Sequence, residues 1–271
     1  MKRLYLPIVL ATSALLTGLL SCSLAGQGTQ APTEPPTGRP QAPTQEPTSE
    51  ATTGETAASG DCDNPLYPVV GGATWQYVGA NSNSGSFSFV HTFVEIHSDG
   101  FTEQDVWDSG LVRSGQWSCQ AGNLKAHELG SGAGTVSTAS TNFVAGSATS
   151  EGVTLPATVY VGDTWTQIID ISGHMEMPDN TSAEARNQAT QNCTALGQES
   201  VSVPAGTFEA MKIECRVEMT ITISLRGLDV PPTTIASTST LWYAQGVGLV
   251  KSESASEFGT STLELQSYNI P

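Results

Sequence analysis

Phe87-Ser88-Phe89-Val90-His91-Thr92-Phe93-Val94-Glu95-Ile96-His97, then Ser98-Asp99-Gly100, then Phe101-Thr102-Glu103-Gln104-Asp105-Val106-Trp107, is the stretch that decides the fold class. Both runs are rich in β-branched and aromatic residues, the types that suit a pleated, half-buried surface. Asp-Gly between two such runs signals a β-hairpin, because both residues tolerate the positive φ of a type I′ turn. Working outward, Asp108-Ser109-Gly110 leads into a run at 111–119, and Ala121-Gly122-Asn123 into one at 124–129. The reading is a four-strand meander.

The later sequence has the same style. Strand-like runs occupy 164–177, 189–203, 208–225, 233–244, 247–254 and 260–270, separated by glycine and proline. Residues 178–188 (PDNTSAEARNQ) have room for one or two helical turns. Residues 130–152 are small and polar and read as a loop with one edge strand. The expectation is an all-β domain over 61–271.

Within it the sequence echoes itself. Gly72-Ala73-Thr74-Trp75 resembles Gly162-Asp163-Thr164-Trp165, and Trp117-Ser118-Cys119-Gln120-Ala121-Gly122 resembles Trp242-Tyr243-Ala244-Gln245-Gly246. Two related β layers, 61–155 and 156–271, would explain this; recurring turn chemistry in one large sheet is the alternative.

The N-terminus has a different character. Lys2 and Arg3 precede an apolar stretch over 4–20, followed by Ser21 and Cys22. A positive start, an apolar segment and a small residue before a cleavage point make a secretory signal over 1–21. Leu19-Leu20-Ser21-Cys22 resembles the bacterial lipobox, which makes Cys22 the expected lipidation site and membrane anchor. Two or three acyl chains give the firm attachment that one chain does not. Residues 24–60 contain six prolines among Thr, Gln, Glu and Gly, with almost no large apolar side chain. Such a segment cannot bury enough surface to offset its ordering entropy. The expectation for 22–60 is a disordered tether, reaching roughly 35 Å as a flexible coil. The location expected is the extracytoplasmic face of a bacterial membrane, plasma or outer.

Removing Lys2 and Arg3 with the leader takes the formal charge from −16 to −18. Acidity on this scale opposes binding to nucleic acid and anionic headgroups. With Cys22 lipidated, four cysteines remain, and an even number in an exported protein points to two disulfides. Cys193 and Cys215 lie almost symmetrically about Pro204-Ala205-Gly206-Thr207, so a hairpin would set them face to face, leaving Cys62 to Cys119. The C-x-x-C spacing of a zinc site does not occur.

Three motifs follow one another in the second half: Val161-Gly162-Asp163-Thr164-Trp165, Val203-Pro204-Ala205-Gly206-Thr207-Phe208, and Trp242-Tyr243-Ala244-Gln245-Gly246-Val247-Gly248. Together they resemble exported bacterial proteins with TapB-like domains. That resemblance implies a curved antiparallel sheet or half-barrel of the kind found in LolA-type lipoprotein carriers, with a concave face able to hold an acyl chain. It supplies no catalytic residues and no cofactor.

Candidate chemistry is sparse. Even spacing puts His91, Glu95 and His97 on one strand face, with Glu95 and His97 about 7 Å apart and Asp105 a further potential ligand. The plainer reading is a solvated strand face, and no metal is expected. His127-Glu128 and His174-Met175-Glu176 are isolated pairs. H-E-x-x-H, G-x-S-x-G and S-x-x-K are absent, and the glycine-rich run 130–134 lacks the Lys-Ser/Thr of a phosphate loop. No catalytic residue is assigned, and the protein is not expected to be an enzyme. Trp75, Trp165 and Trp242, with Trp107 and Trp117, suit a β-domain core; alternatively Trp75, Trp165 and Trp242 line a groove for an apolar ligand. Two functions compete. Binding a lipid or other hydrophobic ligand requires an apolar concave face with few buried polar groups. A structural or protein-interaction role requires a filled core and an exposed patch or edge.

Overall fold

The computed structural model describes residues 60–128, 143–176, 181–225 and 228–271; for residues 143–145, 176 and 229 it describes the backbone alone. The leader, Cys22 and the tether up to residue 59 lie outside the described residues, as does the run 130–134.

Among the described residues there are strands and turns and no helix. The strands are β1 (Thr74–Asn81), β2 (Gly85–His97), β3 (Gly100–Trp107), β4 (Val112–Gln120), β5 (Asn123–Ala126), β6 (Phe143–Gly152), β7 (Thr164–Glu176), β8 (Ser182–Val203), β9 (Gly206–Leu225), β10 (Leu228–Asp229), β11 (Thr233–Ala244), β12 (Gly248–Ser256) and β13 (Gly259–Asn269). They form one antiparallel sheet in the order β5-β4-β3-β2-β1-β13-β12-β11-β9-β8-β7-β6, with β10 paired to β9 alone. Chain neighbours are therefore sheet neighbours almost all the way round, and β13 returns beside β1. The break falls between β5 and β6. Leu124 spans it, donating its N–H to Leu155 O at 2.9 Å and accepting from Thr154 N at 2.9 Å. The Trp165 indole donates to Thr154 O at 2.9 Å and the Gln167 amide to Ala126 O at 2.8 Å. The sheet is a nearly closed barrel, which leaves little unpaired edge.

The internal echo has a structural counterpart. β1–β5 is a five-strand meander, and β7, β8, β9, β11 and β12 form another. Thr74-Trp75 and Thr164-Trp165 open the first strand of each. Trp117 and Trp242 stand on the fourth strands, β4 and β11. The longer spacing in the second meander comes from β8 and β9, of 22 and 20 residues, against 13 and 8 in β2 and β3. Both meanders belong to a single sheet.

Residues 60–73 cross one end of the barrel as a plug. Asp61 N bonds Ser98 O, the Asn64 amide bonds Gly122 O and Pro156 O, and Pro65 O accepts from Gly246 N. Disulfides join Cys62 to Cys119 and Cys193 to Cys215. Tyr67 of the plug forms the base of the core with Trp75, Phe93, Phe101 and Trp117; Trp117 stacks on Phe101 and on Tyr67 at 5.5 Å each.

The structure corrects three expectations. The hairpin at Ser98-Asp99 is present, but neither Asp99 nor Gly100 has positive φ, so its turn is not type I′. Gly100 serves close approach instead, since a Cβ there would lie 2.5 Å from Trp117 O. The positive-φ pair is Ala121-Gly122 (φ 47° and 81°), between β4 and β5. Residues 182–188 are not helical: they extend β8, with Ala183 and Ala185 buried and Glu184 and Arg186 exposed. That alternation fits one covered sheet face, and pairing to β7 and β9 overrides helix propensity. Finally, β1 and β10 are strands that the residue pattern did not single out.

Candidate functional site

The first constellation lies at the base, and strand register builds it. Trp75, His91, Asp105 and Arg113 pair successively across β1, β2, β3 and β4, so their side chains form one row on the inner face. His91 Nδ1 lies 2.7 Å from Asp105 Oδ1, and Arg113 donates to Asp105 Oδ2 at 3.0 Å. From the plug, the Tyr67 hydroxyl donates to Glu103 Oε2 at 2.6 Å and lies 3.2 Å from His91 Nε2. His91, Glu103 and Asp105 are each only 2% exposed. Tyr67 has one hydroxyl proton, so both of its contacts are hydrogen bonds only if His91 Nε2 carries a proton and donates. The protonated ring then serves Asp105 with one N–H and Tyr67 with the other. Burial, the largest single influence, opposes that charge. The Asp105 hydrogen bond and the fields of Glu103 and Asp105 outweigh it, and the His91 pKa is raised. Burial, then Glu103, pushes the Tyr67 pKa well above its ordinary value. A carboxylate–imidazolium–phenol–carboxylate chain, its one cation set between two anions, fixes the plug to the barrel.

Glu95 and His97 do not join it. A bulge between Phe93 and Glu95 reverses the alternation, so both face solvent, 3.9 Å apart, about two-thirds exposed. The face expected to carry His91, Glu95 and His97 is thus divided. His91 does not lie on a solvated face but inside the barrel, and Asp105 pairs with it. No group of three or more metal-ligating side chains occurs among the described residues. His127 follows β5, and burial, then Lys125, lowers its pKa. His174 lies on β7 across from Glu184. The row at the base was legible in the Phe87, Phe89, Phe93 and Phe101 parity, which His91, Glu103 and Asp105 share; the bulge was not.

The second feature is the inner wall of the second meander. Near the plug its residues are buried: Ile213, Cys215, Cys193, Ala195 and Leu241. Farther along the same strands and the same face, Val217, Met219, Ile221, Ile223 and Ile235 are only half-buried. Beside them on the same wall, β11 and β12 present Ser237, Ser239 and Ser254, also half-buried. This face is packed at its plugged end; beyond it the β9 and β11 residues are half-buried, while Ala183, Ala185 and Ala189 of β8 and Ile169 and Ile171 of β7 stay buried beside them. The third feature is a cleft of about 500 Å³ at the plugged end, between the plug, the segment before β7, and β8, β9 and β11.

The candidate groove tryptophans have three different surroundings. Trp75 is buried at the base between His91 and Phe93, its indole donating to Val247 O. Trp165 is half-buried at the barrel closure. Trp242 points to the outer face, where its indole donates to Glu199 at 2.6 Å and Lys212 and Lys251 flank the ring at 5.3 and 5.1 Å.

Over residues 138–268 the sequence matches the DUF3108-like family model, a different description from the TapB-like one that the motifs resemble. No curated protein matches. Similar solved structures include a candidate lipoprotein of Parabacteroides distasonis (19% identity, 76% of this chain and 100% of that one, TM-score 0.52). Others are a candidate exported protein of Bacteroides fragilis with a YmcC-like fold (16%, 76% and 100%, TM-score 0.47) and the hypothetical lipoprotein YmcC of Escherichia coli (12%, 79% and 91%, TM-score 0.30). The chain shares its fold with the Parabacteroides distasonis protein and resembles DUF3108-like sequences across its second meander.

Proposed function

We propose that this is an extracytoplasmic lipoprotein, anchored through Cys22, that binds an apolar ligand on the inner wall of its second meander without catalysing a reaction on it. The observation that carries this reading is the run of half-buried Val217, Met219, Ile221, Ile223 and Ile235 along a barrel wall whose lower part is fully packed. Water-accessible apolar wall inside a barrel is the usual setting for an apolar guest. The buried charges lie at the base of the first meander, away from these residues by register, so they do not put polar groups on this wall. The lipobox-like sequence and the lipoprotein and exported-protein descriptions of the similar structures support the location.

Native mass spectrometry of the full-length protein, released from micelles after incubation with a total lipid extract, tests the ligand. An apolar adduct in the wild type that is lost in the Met219→Asp/Ile221→Asp variant is expected. No adduct, or an adduct equally present in the variant, would contradict the reading. Radiolabelled palmitate should enter the expressed protein and be absent from Cys22→Ser; a label that persists in the variant would remove the anchor from Cys22.

A protein-interaction role is favoured by a different observation. Val90, Val106 and Val112 pair in register across β2, β3 and β4 and, with Leu111, form an exposed apolar row on the outer face.

A further inference from the structure

The cleft at the plugged end has a lining unlike the barrel wall. Its floor is apolar, from Leu66 of the plug, Val159 and Met211. Around the floor stand Gln198 of β8, Glu209 of β9 and Gln245 after β11. None of these three side chains hydrogen-bonds or ion-pairs with a described residue. Each glutamine brings two donors and an acceptor, and the carboxylate brings acceptors only. Tyr243 rises from the inner face opposite Met211. It is half-buried, and its hydroxyl too has no partner among the described residues. Burial, then the field of Glu103, raises its pKa, so the phenol keeps its proton to donate. As part of the cleft lining, this hydroxyl is available to a partner bound there. At the rim the Tyr160 ring is 69% exposed. The volume lies within the about 300–1,000 Å³ usual for small-molecule sites.

We infer that this cleft binds a neutral saccharide. A pyranose ring has apolar C–H faces and an edge of hydroxyls that both donate and accept. Its faces suit Tyr160 and the Leu66–Met211 floor; its edge suits two amides, a phenol and a carboxylate. Competing chemistries fit less well. An acyl chain would leave the amides and Glu209 unpaired, which disfavours it by the unmet hydrogen bonds. An anion would meet Glu209 on a chain of net charge −16.

Saturation-transfer NMR on the full-length protein, in zwitterionic micelles without sugar headgroups, tests the assignment with cellobiose, maltose and diacetylchitobiose as probes. Transfer to at least one disaccharide is expected. Its affinity should fall about tenfold in Tyr243→Phe and in Gln245→Ala, the equivalent of one lost hydrogen bond. Gln245 and Tyr160 are exposed, so Gln245→Ala and Tyr160→Ala should melt as the wild type does while binding more weakly. Absence of transfer to all three sugars, wild-type affinity in these variants, or displacement of the sugar by dodecanoate would overturn the proposal. The apolar adduct of the barrel wall is read by mass and by the Met219→Asp/Ile221→Asp variant, so either proposal can fail without the other.

Discussion

The two five-strand meanders share an order and their opening motifs, yet they are finished differently inside. The first packs Tyr67, Trp75, Phe89, Phe93, Phe101 and Trp117 against one another and holds the His91–Asp105 pair, with Arg113 on its second oxygen, beside that core. The second carries alanines and longer strands, and its ion pairs, Asp170–Arg186, Glu199–Lys212 and Glu214–Arg216, lie on the outer face. One architecture thus supports a filled half that anchors the plug and a half whose wall stays partly open. Burying charge requires partners on every side, and the first meander supplies them because β1–β4 are aligned in register and the plug closes the end.

That contrast can be broken from its strong side first. Asp105→Ala takes the buried carboxylate from His91, and removing one partner of a buried pair typically costs about 3–5 kcal/mol. Urea unfolding should show a loss of that size; a loss under about 1 kcal/mol, the scale of an exposed pair, would mean the row is not a buried unit. Opening Cys62–Cys119, which closes a loop of sequence separation 57, should cost about 4 kcal/mol by chain entropy, against about 3 kcal/mol for Cys193–Cys215 at separation 22. Equal or reversed losses in the serine double variants would show that plug attachment matters less than hairpin closure.

The buried row also makes stability depend on pH. His91 has a raised pKa in the folded state, so the stability it contributes is full below its unfolded value of about 6.5 and is lost as pH rises through the folded value. Stability should therefore decline above about pH 6.5, by at most about 1.4 kcal/mol per pH unit, and His91→Gln should flatten that slope. An unchanged slope in the variant would assign the titration elsewhere. The smallest effect is expected on the other meander. The Arg186 hydrogen bond holds the Asp170 carboxyl below its usual range, but the pair lies on the outer face with Arg186 exposed, and Asp170→Asn should change the melting midpoint least.

Much of the fold could be read from the residues and less of the site. Alternation of Phe, Val and Thr with turn signals located β2–β5 and most later strands, and near-symmetry about Pro204 brought Cys193 to Cys215. A bulge between Ala195 and Gly197 makes up the remaining one-residue offset. Bulges are what the sequence hid. The one after Phe93 turns Glu95 and His97 away from His91, and nothing in Phe93-Val94-Glu95 announces it. The plug's role was also unreadable, because Tyr67 meets Glu103 only once residues 60–73 cross the barrel end. The cleft draws on five separate segments, a proximity that spacing along the chain does not encode.

The inner wall is tightly packed at Phe89 and only half-buried at Ile221, and paired truncations measure that difference directly. Phe89, 3% exposed between Tyr77 and Trp107, and half-buried Ile221 both point inward on their strands. Guanidinium unfolding of Phe89→Ala should show a loss of about 3–5 kcal/mol. Ile221→Ala, with much of its side chain already accessible, should lose less than the about 2–5 kcal/mol of a buried isoleucine. Equal losses at the two positions would contradict the account, because they would mean that the second wall is packed as tightly as the first.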